Sequence, residues 1–190
     1  MLLLSEEYPI EKLATMTTLE RFDQDVWLDP SIIADWSTAD WFALKVLQKI
    51  VFCDKDDGEQ QKQELQKHVM GYASRSEASL WQRRCGIVTF LQYPKYQNTD
   101  TDDDDDVLGR QLVEACEANL LLSPQERFTQ TGIAWVLRYV LAESREKDTS
   151  QLALNFIGRH GSVWTTEAKK SFCEKLSASD PRRKRILNLS

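Results

Sequence analysis

Apolar residues recur at three- and four-residue intervals along nearly the whole chain, a period that one face of a helix requires and a strand cannot use. Over 39–52, Trp41, Leu44, Leu47, Ile50 and Val51 follow it. Leu80, Arg84, Ile87, Val88 and Leu91 form the next stripe, and Leu108, Leu112, Ala115 and Cys116 the one after. A longer stripe, Phe128, Gly132, Trp135, Val136, Tyr139 and Val140, predicts a helix running to about 143, and Leu152, Phe156 and Ile157 predict another over 149–159. Seven Gly and five Pro in 190 residues are roughly half the usual frequency, so the turn residues that hairpins need are scarce. Ser123-Pro124-Gln125-Glu126 predicts a helix start, with a capping Ser, a Pro at the first helical position and a Glu able to bond back to the cap. Asp29-Pro30 and Thr165-Thr166-Glu167 predict two further starts.

Helices joined by short polar links, without strands, predict an all-α chain. A period of about 40 residues, one helical pair per repeat, points to an α-solenoid of HEAT-like antiparallel pairs. The length favours one domain over 1–190. No apolar run approaches the ~18 residues of a membrane span, so no membrane partner is expected. Met1-Leu2-Leu3-Leu4 gives way to Ser5-Glu6-Glu7 without the basic leader of a signal peptide, so the expected compartment is cytoplasmic or nuclear and the chain is not expected to be secreted.

Cys53, Cys85, Cys116 and Cys173 are too dispersed for a zinc or redox motif and read as reduced, buried thiols. His68 and His160 have no second ligand at coordination spacing, so no metal is expected. The net charge, 24 − 30 = −6, argues at first sight against an anionic partner. Six of those negatives, however, are Asp100 and Asp102–Asp106, and the remainder balances at 24 against 24. The stretch 97–106 therefore reads as a solvated, mobile acidic loop between two helices. The segment 180–190, opening Asp180-Pro181-Arg182-Arg183-Lys184-Arg185, reads as a basic tail, with a phosphate contact or a nuclear-import signal as the minority alternative.

Tryptophans stand beside charges in three places. Trp36 and Asp40 are four apart, so a helix puts an indole and a carboxylate on one face; Trp81 is followed by Arg83 and Arg84; Trp135 lies three before Arg138. Taken singly, each tryptophan reads as a core residue; taken together, the three segments point to one chemistry.

In this order and spacing the three segments resemble the AlkD-type DNA alkylation repair glycosylases, over roughly 35–170. The family's Trp-x-x-x-Asp catalytic pair falls on Trp36 and Asp40. Its Trp-x-x-Arg segment falls on Trp81 and Arg84, the arginine serving the DNA strand. Its second cleft tryptophan falls on Trp135 with Arg138 close by, and its closing Glu-Ala-Lys falls on Glu167, Ala168 and Lys169. Only about 35 residues precede Trp36, so by comparison with the family the chain reads as shortened at its N-terminus. The resemblance implies a monomeric enzyme, free of metal and cofactor, that binds double-stranded DNA containing alkylated bases. It would hydrolyse the N-glycosidic bond of positively charged purines such as 3-methyladenine and 7-methylguanine. Asp40, Trp36 and Trp135 are then the catalytic candidates, and Arg84, Arg138, Trp81 and Arg83 the DNA-binding ones. The alternative is a non-catalytic HEAT-like scaffold for protein or DNA.

Overall fold

A computed structural model describes residues 33–52, 59–95, 106–144 and 147–189. The predicted start at Asp29-Pro30, the cysteine at 53 and most of the acidic stretch lie outside these residues. Among the described residues every regular element is helical: α1 (Trp36–Phe42), a π-helical turn (Ala43–Leu47), α2 (Gln48–Val51), α3 (Glu59–Gly71), a 3-10 turn (Tyr72–Ser74), α4 (Leu80–Val88), a second 3-10 turn (Tyr93–Lys95), α5 (Val107–Leu122), α6 (Arg127–Glu143), α7 (Lys147–Arg159), α8 (Thr166–Phe172) and α9 (Pro181–Leu187). None is long and apolar enough to cross a membrane.

The helix starts follow from side chains that satisfy the free first-turn amides. Ser79 and Gln82 form a reciprocal capping box on α4, with the Ser79 amide donating to Gln82 Oε1 at 2.8 Å. Thr165 caps α8 as its sequence predicts, and Asp180 caps α9 with Pro181 in its first turn. The start of α6 departs from expectation. Ser123 to Glu126 forms a turn, and Glu126 itself is the cap, accepting from the Thr129 amide at 2.6 Å. Ser123 instead receives Arg83 Nη2 at 3.0 Å, so its hydroxyl tethers the turn to α4.

α6 is the central element, packing against α4, α5, α7 and α8, while α1 packs on α4. Its stripe Ile133, Leu137 and Val140 is fully buried together with Leu47, Ile87, Leu112, Phe156 and Phe172 from its neighbours. Cys85, Cys116 and Cys173 are free and buried, as expected.

Two charged segments have internal partners. Asp106, the last residue of the aspartate run, is buried; it accepts from the Gly109 amide at 2.8 Å and from the Tyr93 hydroxyl at 2.9 Å, fixing the start of α5. The basic segment forms α9 rather than a solvated tail. Ile186 is buried, Arg182 Nη1 donates to the Leu141 carbonyl at 2.7 Å, and Arg183 Nη1 donates to that of Cys173 at 2.7 Å. Leu141 belongs to the last turn of α6, whose carbonyls lack intrahelical donors, and a guanidinium is well suited to supply them.

Candidate active site

Asp35 sets the geometry of the first site helix. Its carboxylate accepts from the Thr38 amide at 2.8 Å and the Thr38 hydroxyl at 3.0 Å, and these bonds hold its own pKa below the usual carboxylate value. With α1 started there, Trp36 and Asp40 fall one turn apart on the same side. Trp36 remains 54% exposed, although it is a large apolar side chain. The π-helical turn begins three residues after Asp40, the kind of irregularity that recurs at functional sites.

Asp40 is nearly buried, and both of its oxygens are taken by one partner. Arg84 Nε donates to Oδ1 at 2.7 Å and Arg84 Nη2 to Oδ2 at 2.9 Å, a bidentate pair that fixes the plane of the carboxylate. The guanidinium has its own anchor. Its Nη1 donates to the Phe128 carbonyl at 2.6 Å and lies 3.5 Å from Thr131 Oγ1, tying α1 to α6 through α4. Gly132 makes the approach possible, because a Cβ built on it would lie 2.8 Å from that Nη1. Cys85, beside Arg84, donates its thiol to the Ala39 carbonyl at 3.3 Å; burial, and then the nearby Asp40 charge, push the thiol pKa far up, so it is no nucleophile.

Trp81 is half-buried and meets Phe128 edge to face at 5.2 Å, buttressing the residue whose carbonyl anchors Arg84. Trp135 is half-buried one turn beyond Thr131 on α6. The Arg138 guanidinium lies 5.8 Å from the Trp135 ring centre and 5.3 Å from that of Tyr139, and it is ion-paired to Glu174.

The structure thus brings Trp36, Asp40, Arg84, Thr131 and Trp135 into one chain of neighbours, with Trp81 behind it. Arg84 is 5% exposed and donates within the protein through Nε, Nη1 and Nη2. Arg83 donates to the Ala78 carbonyl at 2.6 Å as well as to Ser123. Lys169 bonds the Leu189 carbonyl, while Glu167 forms a bidentate pair with Arg127. Sequence reasoning missed the roles of Phe128, Thr131 and Gly132 in holding Arg84. One signal was present: Arg84 interrupts an apolar stripe, and a cation at a buried position requires a carboxylate. Among the described residues no group of three His, Cys, Asp or Glu side chains is placed to hold a metal ion.

A family model described as DNA alkylation repair enzyme matches residues 10–176, most of the chain. Neither a curated protein nor a solved structure matches it.

Proposed function

The chain belongs to the DNA alkylation repair enzyme family, and from that premise we propose that it is a monofunctional DNA N-glycosylase acting on alkylated, positively charged purines in duplex DNA. We read its helices as HEAT-like antiparallel pairs stacked into a monomeric solenoid, a fold that offers an open face to a duplex rather than a deep pocket.

The observation that carries this reading is the Asp40 carboxylate, nearly buried, fixed in plane by Arg84, and one helical turn from an exposed tryptophan. In the proposed reaction the bond between C1′ and the base nitrogen breaks. The electron pair leaves with the purine and cancels its positive charge, so the base needs no protonation. The sugar is left with oxocarbenium character. Asp40 stabilises that cation and orients a water, whose oxygen bonds to C1′ while its proton passes to solvent. A preoriented carboxylate serves this better than a mobile one, because no reorganisation is needed as charge develops. Arg84 then acts chiefly through Asp40, although the resemblance assigns it to the DNA strand.

Trp36 and Trp135 offer indole faces to the deoxyribose and the cationic base. Trp81 supports the Arg84 anchor through Phe128, and Arg138 meets phosphate at the rim. The geometry leaves Arg83 its best role in tethering the turn before α6. No step calls for a metal or cofactor.

The test is release of free 7-methylguanine from methylated duplex DNA by the chain and by its Asp40→Asn variant, with folding of both checked by circular dichroism. Release that depends on Asp40 supports the assignment. Equal release by the two proteins overturns the role of Asp40, and no release by the folded chain favours the non-catalytic scaffold.

A further inference from the structure

Four residues of α6 that are not buried form one stripe. Arg127, Thr131, Trp135 and Arg138 follow one another at steps of four, four and three residues, which keeps them on one face of the helix. The middle of that stripe meets Arg84, through Thr131 Oγ1 and the Phe128 carbonyl. Its two ends are arginines, and each is paired with a glutamate from α8 or the turn after it. Arg127 Nε and Nη2 donate to the two oxygens of Glu167, both at 2.8 Å, and Arg138 Nη1 donates to Glu174.

We propose that Glu167 and Glu174 stand in for DNA phosphates on the free protein, and that Arg127 and Arg138 exchange them for phosphates of one strand when a duplex docks across α6. This rests on the reading of the protein as a DNA-acting enzyme and deepens it by assigning the outer contacts and a brake on them.

Four observations support the exchange. The glutamates are accessible, with Glu167 and Glu174 side chains 50% and 62% exposed; the Arg127–Glu167 pair is exposed on both sides, and such pairs are weak enough to be replaced. The fork by which Arg127 holds two carboxylate oxygens is the same fork that grips two phosphate oxygens. Arg138 is under-satisfied: its side chain is only 16% exposed, and its buried Nε has no hydrogen-bond partner. Finally, the two arginines are eleven residues apart, about 16 Å along the helix, which spans roughly five nucleotides of one strand. They bracket the residues that hold the Asp40–Arg84 pair.

The exchange also accounts for a balance that a chain of net charge −6 must strike. On the free protein each of the two cations is neutralised locally by its own glutamate. That displaceable carboxylate then competes with phosphate for the arginine. Binding then releases a glutamate that recruits a counterion, so the salt dependence of binding is shallower than the number of arginine contacts implies.

The experiment is fluorescence-anisotropy binding to an undamaged duplex across a salt series, for the full chain and the variants Glu167→Gln, Glu174→Gln and the double variant. Glu114→Gln, an exposed glutamate on α5, reports the generic effect of removing one negative charge. Each of the two proposed variants is expected to bind about two- to fivefold tighter than the Glu114→Gln control at low salt. The slope of log K against log salt steepens by up to about one for each glutamate removed. Arg127→Ala is expected to cancel the gain from Glu167→Gln. Variants that match the control in affinity and slope overturn the proposal, as does a gain from Glu167→Gln that persists without Arg127. A folded chain and double variant that both fail to bind duplex overturn it too. The parent reading fails separately: if the variants respond as expected but no alkylated base is released, the phosphate exchange stands and the glycosylase does not. Asp40-dependent release alongside indifferent glutamate variants leaves the reverse.

Discussion

Gly132 stands where a methyl group would lie 2.8 Å from Arg84 Nη1, so the bare backbone of α6 is what lets the guanidinium reach the Phe128 carbonyl and still hold Asp40 with its other two nitrogens. The glycine costs helix stability, since Ala is favoured at an interior position by about 1 kcal/mol.

That opposition makes Gly132→Ala a clean probe. Helix propensity gains while Arg84 must move, so thermal stability is expected to change by less than about 1 kcal/mol. Base release is expected to fall by about tenfold to a hundredfold, because displacing a preorganised group by a fraction of an ångström is costly. The loss should appear in kcat rather than KM, since Gly132 is buried and has no direct path to the DNA. A variant with wild-type kcat would show that the orientation of Asp40 does not depend on this approach.

Removing one member of the Asp40–Arg84 pair should be harsher than removing both. The side chains are 13% and 6% exposed, so Arg84→Met leaves a nearly buried carboxylate without its partner, at an expected cost of about 3 to 5 kcal/mol. The double variant Asp40→Leu/Arg84→Met removes both charges and should recover much of that loss. Urea denaturation of the two single variants and the double one measures the coupling. Additive losses would show that the pair contributes packing and little electrostatic dependence.

Much of this was legible in the sequence, and the parts that were not share a cause. The apolar periods located the helical run over 39–52, which holds the end of α1, the π-helical turn and α2, and they located α4, α5, α6 and α7, because a buried stripe leaves its period in the residues themselves. Trp36 and Asp40 were legible as neighbours because a helix turns four residues into one step. The Asp40–Arg84 pair was not, because its members are 44 residues apart and only tertiary packing joins them. The start of α6 shows two local signals in competition. Ser123-Pro124 and Glu126 both offer a cap, and Arg83, forty residues earlier, draws Ser123 into the turn. The segment at 180 reads as a tail by composition, yet its Asp180-Pro181 is the same signal that predicts a helix start at Asp29-Pro30. What composition hides is that Arg182 and Arg183 find backbone carbonyls and Ile186 finds the core.

α9 gives the fold a pH-sensitive element. Hydrogen bonds from Arg182 hold the Asp180 carboxyl below its ordinary 3.8, with Nη2 at 2.6 Å from Oδ2, and the same arginine caps the end of α6. The folded pKa lies below the unfolded one, so Asp180 contributes its full stabilisation above about pH 3.8, and the contribution is lost as the pH falls through the lower folded value. Asp180→Asn should therefore lower stability at neutral pH and flatten the decline below pH 4. Chemical denaturation from pH 7 down to acid reads both effects. A variant whose stability falls in parallel with the wild type across that range would remove Asp180 from the acid response.

The two tryptophans of the proposed site should separate stability from activity. Trp36 is 54% exposed, so Trp36→Ala withdraws less covered surface than loss of a core tryptophan would and should cost on the order of 1 kcal/mol. Trp135 packs against the core, and the Arg138 guanidinium lies 5.8 Å from its ring, so Trp135→Ala should cost on the order of 2 to 3 kcal/mol, somewhat less than a fully buried aromatic. Both variants should lose release of 7-methylguanine, Trp36→Ala with the smaller shift in the unfolding curve. More than half of the Trp36 side chain faces solvent, and the proposed site accounts for that exposure through the face the indole offers to a cationic base. Release undiminished in Trp36→Ala would mean that the carboxylate works without that indole, and the site would then have to be redrawn around Asp40 and Trp135.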